Sequence, residues 1–72
     1  MPKYYVICLY NTVDKFAREL MFISVYDDYS EAIKVYDKMR VKSSEELCMY
    51  AQYDEDGFDT ELIKSKYKNL DR

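Results

Sequence analysis

Residues 3–10, KYYVICLY, are apolar on both parities, because Tyr5, Ile7 and Leu9 alternate with Tyr4, Val6, Cys8 and Tyr10. A run this short, rich in aromatic and β-branched residues, reads as a strand. With neither side polar, it belongs in the middle of a sheet, where both of its faces are covered or contacted. The remaining chain must therefore supply a neighbour on each side.

Residues 20–26 read as a second strand, with Met21, Ile23 and Val25 on one face and Leu20, Phe22, Ser24 and Tyr26 on the other. Between the two strands, residues 11–19 are polar apart from Val13, Phe16 and Ala17. They read as a loop or one helical turn, anchored by Phe16. Asp28 followed three residues later by Glu31 is a capping-box variant that starts a helix. Tyr29, Ala32, Ile33, Tyr36 and Met39 then recur at three- and four-residue steps as one apolar stripe. The helix should close near residues 40–42, where Arg40 and Lys42 suit the negative end of its dipole, with Ser43 and Ser44 as the connection.

Residues 45–53 alternate again, with Leu47, Met49, Ala51 and Tyr53 opposite Cys48, Tyr50 and Gln52. Asp54, Glu55, Asp56 and Gly57 form a turn, and the only glycine of the chain supplies a positive φ there. Residues 58–66 read as a fourth strand at an edge, where lysines discourage further pairing. Residues after Tyr67 are expected to fray.

The element order is ββαββ. A right-handed crossover lays the third strand beside the first, giving an α+β fold with a four-stranded antiparallel sheet in the order 2-1-3-4. Residues 1–72 form one domain, and a chain of this length buries only about 60% of its extended surface. One helix covers one face. The aliphatic set Ile7, Leu9, Met21, Ile23, Val25, Leu47 and Met49 matches the helix stripe, which leaves Tyr4, Val6, Cys8, Tyr10, Phe22, Tyr26, Cys48 and Tyr50 on the other side.

That second face is the informative constellation. The chain has nine tyrosines and no histidine or tryptophan, and tyrosine's rigid ring with a polar tip suits a surface that alternates between water and a partner. Tyr4, Tyr10, Phe22, Tyr26 and Tyr50 are the candidate partner-binding residues, unless the 11–19 loop or the tail near Tyr67 and Leu70 folds over them. The expected function is a non-catalytic protein–protein interaction module acting by binding or occlusion, and the marginal core favours a homodimer. Catalysis is not expected. Without histidine the usual proton shuttle is missing, without a second glycine there is no phosphate-cradling loop, and neither Cys8 nor Cys48 has an assignable base. No cofactor is implied.

Charge offers the alternative. Net charge is −3, with eleven of the fourteen acids between Asp27 and Glu61, whereas Lys64, Lys66, Lys68 and Arg72 make the end of the chain basic. Asp54, Glu55, Asp56, Asp59 and Glu61 form an alternative acidic site, a nucleic-acid mimic for a nucleic-acid-binding protein. Their spacing does not make an EF-hand loop, so no metal site is expected. Direct nucleic-acid binding is not expected either, since a basic groove and the RNP-type run are missing. Two cysteines are too few for a disulfide scaffold or a zinc site, and they point to a reducing compartment. Cys8 and Cys48 fall on neighbouring strands of the same face and can approach one another. Neither a signal peptide nor a spanning segment is legible, so a cytoplasmic location without membrane contact is expected.

In size, acidic balance and tyrosine-rich strand-helix-strand plan, the chain resembles small proteins encoded by phages and mobile elements, among them anti-CRISPR inhibitors. The segments DDYSEA at residues 27–32 and YDEDGF at residues 53–58 carry that likeness. It implies a stoichiometric inhibitor that binds and blocks host machinery, and it transfers no functional residue.

Overall fold

A computed structural model describes residues 1–14 and 16–68. The elements are β1 (Tyr4–Asp14), β2 (Ala17–Tyr26), α1 (Tyr29–Lys38), β3 (Glu45–Gln52) and β4 (Thr60–Tyr67). They form one antiparallel sheet in the order β2-β1-β3-β4, the ββαββ layout that the strand pattern predicts. The doubly apolar first strand lies at the centre, with Val6, Ile7 and Cys8 buried in succession.

The helix begins where Asp28 caps it. Its carboxylate accepts the Glu31 backbone N–H at 3.1 Å and the Ser30 hydroxyl at 2.9 Å, satisfying donors that the first turn leaves free. It stops at Lys38, earlier than expected, because Met39 turns to extended backbone while its N–H still bonds to the Val35 carbonyl at 3.1 Å. A ten-residue helix is marginal alone, so packing must hold it. Ala32 and Tyr36 bury against Ile7, Leu47 and Met49, with Ile33, Val35 and Met39 partly buried around them. Tyr29 lies edge-on to Tyr5 with ring centroids 5.3 Å apart. Lys64 and Lys66 of β4 reach across the rim, their ammonium groups 5.2 and 4.7 Å from the Tyr36 ring centroid.

Of the polar stretch at residues 11–19, residues 11–14 and 17–19 are strand rather than loop. Asn11 pairs with Glu19, Thr12 with Arg18 and Asp14 with Ala17, so the first hairpin is much longer than its hydrophobic segments. Backbone pairing, which any side chain permits, carries the ladder here. The Asp14 carboxylate accepts the Phe16 N–H at 2.8 Å, and the Thr12 N–H donates to the Ser44 carbonyl at 2.7 Å. Phe16, expected as an anchor, stands 93% exposed at the tip.

The facing of β2 is also reversed from expectation. Tyr5, Ile7 and Leu9 pair with Tyr26, Ser24 and Phe22, whereas Val6 and Cys8 pair with Val25 and Ile23. Directly paired residues share a face, so Phe22, Ser24 and Tyr26 lie on the helix side and Ile23 and Val25 on the other. Tyr26 joins the core margin. A bulge then skips Met21, and Leu20 pairs with Tyr10 on the side away from the helix. A slip of one residue flips a whole strand, and β2 has large apolar groups on both parities, so hydrophobicity does not choose between them.

Gly57 has φ +80, as its turn requires. The Asp54 carboxylate accepts the backbone N–H groups of Gly57 at 2.9 Å and Asp59 at 3.2 Å, closing the β3–β4 connection. Fraying is expected after Tyr67, yet Lys68 still bridges to Ser43 and its carbonyl accepts the Ser44 N–H at 3.4 Å; the rest of that expectation, with the possible cover by Leu70, falls on residues 69–72, outside the described residues.

Candidate protein-interaction face

The sheet face away from α1 is built from alternate residues of all four strands. Register places Val25, Ile23 and Leu20 of β2 beside Val6, Cys8 and Tyr10 of β1; next come Tyr50, Cys48 and Glu46 of β3, then Leu62, Ser65 and Tyr67 of β4. At the centre, Val6, Cys8 and Cys48 are buried by their neighbours in the sheet. Around them Leu20, Ile23, Val25, Leu62 and Tyr67 are each about half exposed. The result is an apolar floor with a half-wet margin.

The long hairpin gives this face a charged pair at one end. Because β2 begins at Ala17, Arg18 lies opposite Thr12, and its guanidinium stacks 4.1 Å from the Tyr10 ring centroid. The same guanidinium bonds to the Glu46 carboxylate at 2.6 Å. Flat stacking and a charge-assisted bond together hold both Arg18 and the Tyr10 ring in place. At the other end, the Tyr4 hydroxyl donates to Glu55 at 3.2 Å, and Lys3 pairs with the same carboxylate at 3.5 Å.

The Tyr10 and Tyr50 hydroxyls and the two thiols of this face stay uncharged near neutral pH. Burial, reinforced by the neighbouring Cys8 thiol, pushes the Tyr10 phenol up to about 12. Burial likewise raises Tyr50, with Cys48 adding to it. Both thiols are raised by burial, although the Tyr10 hydroxyl and Arg18 draw Cys8 back and the Tyr50 hydroxyl does the same for Cys48. Apart from Arg18 and Glu46, the centre therefore presents neutral hydroxyls and thiols among hydrocarbon. Such a surface offers area and a few directional hydrogen bonds, the chemistry of a contact.

Of the expected contact residues, Tyr4, Tyr10 and Tyr50 lie on this face, whereas Phe22 and Tyr26 lie on the helix side. Phe22 remains accessible at the free edge of β2. Alternation already sets Leu20 on this side, whereas Ile23, Val25, Leu62, Tyr67 and the Arg18–Glu46 pair are not expected here. Only register reveals them. Of the alternative acidic residues, Asp54 caps its own turn, Glu55 holds Tyr4 and Lys3, and Glu61 accepts the Tyr53 hydroxyl at 2.9 Å, while Asp56 and Asp59 are exposed in the β3–β4 connection. Among the described residues, no group of three or more histidine, cysteine or acidic side chains is arranged to hold a metal, and no helix is long and apolar enough to cross a membrane. Comparison with protein-family models, with curated proteins and with solved structures found no match.

Proposed function

We propose that this chain is a non-catalytic protein-interaction module that works by occlusion through the sheet face opposite α1, with a second copy of itself as the first occupant. The observation that carries the reading is the half-exposed apolar margin of Leu20, Ile23, Val25 and Leu62 around a buried centre. The two edges differ in the same direction: residues 20–26 of β2 carry no charge, whereas β4 carries Glu61, Lys64 and Lys66. The likeness to small phage-encoded inhibitors extends this proposal to a host protein as a further target, in the cytoplasm.

Sedimentation equilibrium at micromolar concentration, at low and at high salt, tests the proposal. A dimer that persists at high salt and is lost in Ile23→Lys supports it, because apolar contacts are not screened. A monomer throughout removes the second copy as occupant. A dimer that dissolves steeply with salt moves the interface to the charged residues and sinks the sheet-face reading.

A further inference from the structure

Cys8 and Cys48 are directly opposed in the β1–β3 ladder, on the same face, and both are free thiols. We propose that they form a redox-active dithiol, which low-molecular-weight disulfides convert to a single cross-strand disulfide. This rests on strand register and stands apart from the binding proposal.

Geometry is the first support. Opposed residues of an antiparallel pair have Cα atoms about 4.5 or about 5.5 Å apart, and both spacings lie within the range that disulfides span. Their Cβ atoms must approach by roughly 1 Å. The β1–β3 ladder that opposes them is uninterrupted, while bulges in the flanking ladders, at Leu9/Tyr10 of β1–β2 and at Met49/Tyr50 of β3–β4, raise the twist close to the pair. The pair is also isolated. These are the only two cysteines in the chain, so intramolecular closure has no competitor within it.

The order of events follows from the surroundings. Cys8 is 5% exposed and Cys48 2%, and the Glu46 carboxylate opposes ionisation of Cys48, so Cys8 reacts first. Its thiolate attacks one sulfur of the small disulfide, forms a mixed disulfide and expels one thiolate, which takes up a proton. Cys48 then gives up its proton and attacks the Cys8 sulfur, expelling the second small thiolate, which is protonated in turn. Two electrons pass from the cysteine pair to the reagent, and two small thiols leave. Burial keeps the attacking thiolate scarce, so entry is slow; high-pKa thiols are also poor leaving groups, so the closed form is long-lived.

Dilute, reduced protein exposed to oxidised glutathione at mildly alkaline pH, then alkylated and analysed by mass, reads the outcome directly. The expected product is a monomer lighter by two hydrogens, with the Cys8 and Cys48 peptides linked and the urea midpoint shifted upward. In Cys48→Ser, Cys8 should instead retain one glutathione. Three results would overturn the proposal: stable glutathione adducts on the wild-type protein, cross-linked dimers, or thiols that stay free while the urea-unfolded chain reacts.

Discussion

On the helix side of the sheet, Ile7, Leu47 and Met49 are fully buried beneath Ala32 and Tyr36, whereas on the other side Ile23, Val25 and Leu62 remain about half exposed. The residues are of one chemical kind and come from the same sheet. What separates them is helix cover together with strand position: the buried three lie on the central strands β1 and β3, the half-exposed three on the edge strands β2 and β4, and Val6 of β1 is buried even on the open face. A chain this short carries one helix, and the helix and the two central strands together settle which aliphatic side chains become core and which become surface. Hydrophobicity thus reports the capacity to be covered, and topology decides whether covering happens within the chain.

The largest expected effect lies on the helix side. Leu47→Ala should cost about 2–5 kcal/mol of stability by leaving a cavity under α1, whereas Leu62→Ala on the open face should cost less than about 1 kcal/mol. Urea denaturation of the two variants measures the gap. Equal losses would mean that both faces are core and would remove the contrast altogether.

The next effect inverts the contrast. Tyr50→Ala should weaken self-association by about 1–3 kcal/mol while leaving the unfolding midpoint nearly unchanged. Tyr26→Ala should do the reverse, since that ring packs against the helix-side core. A concentration series followed by urea titration separates association from folding. If the two tyrosine variants behave alike, the reversed facing of β2 has no energetic meaning.

Alkaline pH tests the buried hydroxyls and thiols on both faces. Cys8 and Cys48 are raised above the ordinary value of 9.0, while Tyr36 and Tyr50 are raised above 10.0 and Tyr10 goes to about 12. The folded state therefore holds these protons after the unfolded chain has released them. Their contribution is complete below about pH 9 and declines as pH rises toward 12. Urea midpoints across that range should fall, and the double variant Cys8→Ser, Cys48→Ser should delay the onset to about pH 10. A flat profile would show that burial does not hold these groups neutral.

The smallest effect concerns Ser24, whose buried hydroxyl has no hydrogen-bond partner among the described residues. Ser24→Ala should change stability by less than about 1 kcal/mol, in the stabilising direction. A clear loss in thermal unfolding would show that the hydroxyl is satisfied in solution.

Much of this architecture is legible in the amino-acid sequence. The doubly apolar first strand, the Asp28 cap, the Tyr29-to-Met39 stripe and the single glycine each constrain one element locally, and together they yield the strand order. Two features are not legible. The hairpin extension from Asn11 to Glu19 is held by backbone bonds that leave no hydrophobic pattern, and through it Arg18 reaches Tyr10 and Glu46. The facing of β2 depends on a register whose alternatives have similar apolar content, with Ser24 on the side a reader of polarity would reject. Tyr4, Tyr10 and Tyr50 could be placed because β1 and β3 pair without interruption. Ile23 and Val25 could not.

Dilution of isotope-labelled protein, followed by methyl and aromatic NMR, compares the two faces within one sample. Concentration-dependent shifts should appear at Leu20, Ile23, Val25, Tyr10, Tyr50 and Leu62, while Ile7, Ala32, Leu47 and Met49 stay fixed. Shifts centred on the helix side, or no dependence on concentration anywhere, would contradict the assignment of the open sheet face as the surface that a second copy covers.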